Sequence, residues 1–387
     1  MIDAEAFIEA ARGLGFTRYT GVPCSYLTPF INYVINDDQL TYVSSANEGD
    51  AVATAAGLAV GGRRAVAMMQ NSGLGNAVNP LTSLANTFDI PVLLIVTHRG
   101  RPGRRDEPQH ELMGRITGGL FDLMEIPWEP FPAVEQDIGP ALERAHRYLT
   151  ERQRPYALLM EQGTVAAHAL EGESIPSRAG IQCLRKSIAP GPADLTRGQA
   201  LREIISHTPV GTSVLIGTTG YTGRELFALD DRANQLYMVG SMGCASSFAL
   251  GVSLARPDLE VTAVDGDGAG LMRMGNFATI GSYGRNNLAH ILLDNGVHES
   301  TGSQATVSAN VDFADIAAAC GYGMALDGTG LAVIRELYAR KDVDGARFAH
   351  LKIVPGTRAD LPRPDTSPRD VLRRLVGHIN EEIQGSE

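Results

Sequence analysis

The chain has 387 residues, more than one hydrophobic core usually organises, so two domains are expected; 44% hydrophobic and 20% charged residues exclude extensive disorder. A formal net charge of −11 argues against nucleic-acid binding, which needs a basic surface, and no stretch approaches the roughly 18 consecutive apolar residues of a membrane span. The four cysteines (Cys24, Cys183, Cys244, Cys320) are too widely spaced for a disulfide framework or a metal finger, and they fit a reducing compartment.

The N-terminus, MIDAEAFIEAARGLGF, carries acidic residues at helical spacing without a basic leader or a long apolar core, so it reads as a helix of the mature fold and points to the cytoplasm. From there, short apolar runs ending in Gly- or Ser-rich loops alternate with amphipathic segments, the pattern of parallel strands joined by helices. Strands are predicted at 18–21, 41–44, 65–69, 92–96 and 157–161, then at 214–216, 236–239, 261–264, 289–293 and 348–353. Helices at 50–59, 80–86 and 200–206 lie between them. The segment EGESIPSRAGIQCLRKSIAPGPADLTRG mixes Pro, Gly, Ser and charge without a period, so residues 171–195 read as a linker. The fold class is therefore α/β, with two doubly wound parallel-sheet domains at 1–170 and 196–387 and no middle domain. A proline-rich loop at 357–368 precedes a last helix.

The stretch VDGDGAG, 264–270, closes an apolar run at the place where open parallel sheets collect ligands. Its glycines do not fit the dinucleotide fingerprint, because Leu271 stands where the third should be, and no Walker A lysine follows. An EF-hand loop starting at Asp265 would need oxygen ligands where Ala269 and Asn276 stand, the latter a glutamate. Further on, a helix-like segment and the strand AHILL lead to Asp294-Asn295-Gly296, one βαβ unit. If its strands are neighbours they lie roughly 5 Å apart, which brings Asp267 close to Asn295. A carboxylate beside an amide oxygen is a hard-oxygen site suited to Mg²⁺ completed by phosphate, and the helix start after Gly268 offers N–H groups to the same phosphate. The alternative is that Asp267 only caps the helix.

GDG, 26 residues (269–294) and then Asn295 resembles the signature of thiamine-diphosphate enzymes. That resemblance implies Asp267, Asn295 and Val297 as holders of Mg²⁺, with Gly266, Gly268 and Ala269 around the cofactor's diphosphate. VGSMGCA resembles the family's cofactor-bending element, with Met242 as the wedge and Gly240 as a carbonyl donor. Thr218, Thr219 and Gly220 in IGTTGYTG offer hydroxyl and amide donors to the diphosphate, or form an ordinary capped turn. In SSANEGDAVATAAGLAVGG, Glu48 matches the glutamate that protonates the cofactor's pyrimidine, and the small residues after it would allow close packing against another chain. The family shares its cofactor between subunits, so a homo-oligomer, at least a dimer, is implied.

The substrate side points to a small anionic 2-oxo acid. RGRPGRR places Arg99, Arg101, Arg104 and Arg105 on one loop of an acidic protein, and guanidinium groups hold phosphonate, sulfonate or carboxylate through paired donors. Arg99, nearest the strand end, and Arg101 are assigned to the substrate; for Arg104 and Arg105 the alternative is pairing with Asp106 and Glu107. Asn71 and Ser72 follow another strand end, and His110 either shuttles a proton or is structural. The stretches GVPCSYLTPFI, QNSGLGNAVNPLTSL, RGRPGRRDEPQHELMGRITG and LDNGVHESTGSQ resemble most the family members acting on phosphonopyruvate, with sulfopyruvate decarboxylation or carboligation as alternatives. On that resemblance Ser25, Tyr26, Gln109 and Glu299 join the substrate side. One departure is Ser303, where glycine is expected.

Overall fold

A computed structural model describes residues 1–172 and 182–381. The chain divides into two compact units, Met1–Pro176 and Ser177–Glu387. In the first, strands β1 Phe16–Gly21, β2 Thr41–Ser44, β3 Arg64–Gln70, β4 Leu93–Thr97, β5 Trp128–Pro130 and β6 Tyr156–Met160 form one sheet in the order β2-β1-β3-β4-β6-β5. All of its pairings are parallel. The central β4, LLIVT, is buried at every position, as expected where helices cover both faces of a parallel sheet.

In the second unit, β7 Leu184–Ile188, β8 Ser213–Gly217, β9 Gln235–Tyr237, β10 Glu260–Gly266 and β11 Leu288–Asp294 are followed by a small antiparallel pair, β12 Val297–His298 with β13 Gln304–Ala305. Then come β14 Met324–Gly328 and β15 Arg347–Lys352. The main sheet is parallel throughout, in the order β7-β14-β15-β11-β10-β8-β9. The two doubly wound α/β units match the expected fold class.

Besides the short β12–β13 pair, three strands of the two main sheets carried no sequence signal. β7 lies inside the segment expected to be linker, of which residues 173–181 are outside the described residues. It is an edge strand whose polar side chains are half-buried or exposed, so no apolar run marked it. β5 is three residues long and ends in proline, and β14 runs into glycine, so both read as turns.

The helix expected at 80–86 begins earlier, at Leu74, and passes through a wide π-turn at Leu81–Ala85 before ending at Phe88. Pro80 sits inside it and has no N–H for the carbonyl four residues back, which loosens the ladder where the wide turn begins. The helix Glu48–Val60 also differs from expectation. Its small residues, Ala51 to Ala56 among them, are already buried within the unit against β1, β3 and Leu74–Pro80. Small side chains are needed there because helix and sheet backbones approach closely on more than one side.

Candidate active site

In the second unit three strand ends come together. Gly266 of β10 is in register with Leu293 of β11, and Val264 with Gly217 of β8, so Thr218, Asp267 and Asn295 leave the sheet side by side. They border a cleft of about 500 Å³, counting space open to solvent. Its lining takes in Thr218, Thr219, Gly220, Met242, Gly266, Asp267, Gly268, Ala269, Asn295, Val297 and Glu299. Of the residues expected in this half, Gly240 alone is outside that lining, two positions before Met242.

Gly220 caps the helix Tyr221–Leu229 at φ 89, ψ −142, backbone that only glycine adopts freely, and no side chain caps the helix. Its first-turn N–H groups are thus available to an anion. Gly268 is also closely packed. A Cβ there would fall 2.5 Å from His298 Cε1 and 2.9 Å from Met242 Cε, so one would require the ends of these side chains to shift. Gly266, by contrast, has nothing closer than Leu293 O at 3.9 Å.

Asp267 does not cap the following helix; the N-cap is Gly266. Its side chain is buried at 4% exposure, accepts a hydrogen bond from Thr306 Oγ1, and among the described residues has no cationic partner. Burial pushes its pKa up, the Thr306 hydrogen bond opposes this, and the nearby Asp294 carboxylate adds to the rise. A cation would offset all of that strain on the ionised form. Asn295 Oδ1, which accepts from Val297 N at 3.2 Å, adds a second hard oxygen beside the cleft. No group of three or more His, Cys, Asp and Glu that could hold a metal occurs among the described residues. The donor set therefore fits an ion such as Mg²⁺, which takes one or two protein oxygens and completes its shell with phosphate and water.

Glu299 is already occupied. Its carboxylate pairs with Arg197, whose side chain is 6% exposed, and accepts from Gly356 N. Arg197 also pairs with Glu225 at 2.9 Å and donates to Thr357 at 3.0 Å. Glu299 both lines the cleft and ties the loop at 356–357 to its wall. Ser303 stands at φ 61, which accounts for the expectation of glycine.

In the first unit, Glu48 starts its helix, with Asn47 as the cap. Asn76 Nδ2 donates to Glu48 Oε2 at 2.8 Å, and a Cβ on Gly73 would overlap the Glu48 carboxylate. The turn Asn71–Gly73 after β3 is therefore shaped around this glutamate. Asn71 is fully buried; its Nδ2 donates to Arg99 O at 2.9 Å and Thr117 Oγ1 at 3.0 Å, while its Oδ1 has no partner among the described residues. Ser72 accepts from Gln70.

The two arginines expected on the substrate side are each ion-paired. Arg99 forms a two-point ion pair with Asp106, at 2.8 Å from Nε and 2.6 Å from Nη2, and lies over the Tyr26 ring at 4.8 Å. The Arg99 guanidinium holds the Asp106 carboxyl well below its usual range. Ser25 Oγ is 3.4 Å from Arg99 Nη1, so Ser25, Tyr26 and Arg99 do come together. Arg101 pairs with Glu161. Arg104 and Arg105 are exposed and have no side-chain partner among the described residues; of the two acids offered as their alternative partners, Asp106 is held by Arg99. Sequence order could not show this, because the loop folds back and Gly100 N also donates to Asp106. His110 is buried, next to Gly100, with its Nδ1 unpartnered among the described residues, and Gln109 is exposed.

Sequence reasoning missed Asp294, Thr306, Ser308 and His350. Asp294 stood in the quoted Asp-Asn-Gly but reads as a turn residue; only the strand pairing shows it buried against His350. Asp265, at the end of the same strand as the GDG motif, is buried against His290 at 3.2 Å, which in turn meets Tyr322.

Two family models match the chain: the N-terminal TPP binding domain of thiamine pyrophosphate enzymes over residues 2–119 and the C-terminal TPP binding domain over residues 216–339. A phosphonopyruvate decarboxylase from Streptomyces hygroscopicus is 45% identical over 97% of this chain and 93% of its own. Another, from Streptomyces viridochromogenes, is 45% identical over 100% of this chain and 97% of its own. A sulfopyruvate decarboxylase from Methanosarcina acetivorans is 28% identical over 96% of each. The benzoylformate decarboxylase structure from Polynucleobacter necessarius shares the fold, with a TM-score of 0.69 at 14% identity, over 92% of this chain and 100% of that one. The chain belongs to the thiamine-diphosphate enzyme family, in the group of the phosphonopyruvate decarboxylases.

Proposed function

We propose that the protein is a thiamine-diphosphate- and Mg²⁺-dependent carboxy-lyase that converts phosphonopyruvate to phosphonoacetaldehyde and CO2. The observation that carries the substrate is 45% identity along nearly the whole chain to two phosphonopyruvate decarboxylases, against 28% to a sulfopyruvate decarboxylase. Bound thiamine diphosphate supplies a nucleophilic carbon and an electron sink for the loss of CO2 from a 2-oxo acid.

The protein's own groups bind and orient. Asp267, Asn295 and the backbone at Val297 hold Mg²⁺, and the uncapped start of Tyr221–Leu229, with Thr218 and Thr219, receives the diphosphate. Met242 lies against Gly268 at the cleft and suits the wedge role. Glu48 holds a proton at the pyrimidine nitrogen; Asn76 on Oε2 leaves Oε1 for that contact. Ser25, Tyr26 and the loop bearing Arg99, Arg104 and Arg105 line the substrate side, and His110 with its unpartnered Nδ1 is the candidate proton donor to product. Each active site draws on two subunits of a homo-oligomer, and the protein works in the cytoplasm.

The test is a steady-state comparison of both oxo acids with Mg²⁺ and thiamine diphosphate present. A higher kcat/KM for phosphonopyruvate supports the reading; a preference for sulfopyruvate, or carboligation when an acceptor aldehyde is added, transfers the assignment to that reaction.

A further inference from the structure

We infer that Thr306 is a positioning residue for the divalent-cation site, held in place by a buried run of side chains, Ser308, Asp294 and His350. This rests on the cofactor reading above and not on the choice of oxo acid. Thr306 Oγ1 donates to Asp267 Oδ2 and accepts from Ser308 N at 3.3 Å. Ser308 Oγ, 3.0 Å from the Thr306 hydroxyl, donates to Asp294 Oδ1 at 2.9 Å. Gly296 N reaches the same Oδ1 at 2.9 Å, and Asp294 Oδ2 lies 2.9 Å from His350 Nε2. Asp294, Ser308 and His350 are 7%, 3% and 3% exposed, so the run is shielded from water.

Two consequences follow for Asp267 and for the loop that carries Asn295. With its Oδ2 engaged by the hydroxyl, the carboxylate of Asp267 is fixed in rotation and Oδ1 is the oxygen left to a cation. The loop from Asn295 to Ser308 contains the β12–β13 pair and is strapped at its two ends: Gly296 N and Ser308 Oγ both end on Asp294, and Thr306 N donates to Gly296 O at 2.9 Å. Asp294 itself is anchored to β15 through His350, whose ring is packed edge-on against Phe313 at 5.2 Å. Neither cation-facing residue is thus left to a free loop. Partners of this kind set how well preplaced a metal site is, and losing one typically weakens metal affinity about 10–100-fold.

The experiment reads metal binding without turnover: Mn²⁺ titrated into the full-length protein with thiamine diphosphate present, followed by the electron paramagnetic resonance signal of free Mn²⁺. Thr306→Val is expected to weaken Mn²⁺ binding about 10–100-fold, and Thr306→Ser, which keeps the hydroxyl, to restore most of it. His350→Phe should weaken it too, and the double variant Thr306→Val/His350→Phe by less than the product of the two singles, since both act on one run. If Thr306→Val does not fold, Ser308→Ala is read in its place with the same expectation. Unchanged Mn²⁺ affinity in Thr306→Val or in its stand-in, or an equal loss in Thr306→Ser, overturns the inference. A wild-type protein that takes up no Mn²⁺ with thiamine diphosphate overturns the cofactor reading instead.

Discussion

Glu48 and Asp106 show how differently two carboxylates are used within one unit. Glu48 has one oxygen on Asn76 and a glycine beneath it, an arrangement that fixes the group without neutralising it. Glu48→Gln should therefore keep thiamine-diphosphate affinity, measured by calorimetry, while turnover falls by about 10²–10⁴, the usual weight of a positioned acid–base group. Asp106 is instead bound on both oxygens by Arg99, which lowers its pKa from 3.8. A carboxylate lowered in the folded state stabilises fully above its unfolded value and loses that contribution as pH falls towards the folded value. Thermal unfolding should thus show Asp106→Asn less stable than wild type at neutral pH, with the gap narrowing below about pH 4; a gap that widens in acid contradicts the pairing. Asp267 and Asn295 were legible because a fixed spacing joins them. The partner of Arg99 was not, because nothing in RGRPGRRDE tells which arginine folds back onto Asp106.

At the scale of elements, the sequence disclosed strands buried on both faces, such as β4 and β11, because each is an unbroken apolar run. It hid β7, whose place at the sheet edge leaves its Arg, Lys and Ser side chains half-buried or exposed, and it placed the start of the Leu74 helix too late because Pro80 looks like a first-turn residue. The glycines of GDG were legible as a motif, but the packing around Gly268 was not, since Met242 and His298 arrive from distant positions. Gly268→Ala should cost about 1–3 kcal/mol through overpacking and displace Met242 from the cleft. Urea unfolding with and without thiamine diphosphate checks it: the variant should lose stability without cofactor and gain less when cofactor is added. An unchanged midpoint would mean that His298 or Met242 moves aside freely.

For the molecule as a whole, two complete doubly wound units in one chain leave Glu48 and Asp267 in separate units, Met1–Pro176 and Ser177–Glu387. A site shared between subunits predicts that sedimentation finds a dimer or larger species. It also predicts that mixing inactive Glu48→Gln and Asp267→Ala proteins restores part of the activity, because some mixed sites then carry both native residues. Monomeric protein with full activity would contradict that arrangement. The central claim, decarboxylation of a phosphonate 2-oxo acid with thiamine diphosphate and Mg²⁺, is tested most directly by ³¹P nuclear magnetic resonance of purified protein with phosphonopyruvate and both cofactors. The phosphonopyruvate signal should be replaced by that of phosphonoacetaldehyde, with no change when thiamine diphosphate is left out; persistence of the substrate signal with both cofactors present would contradict the account.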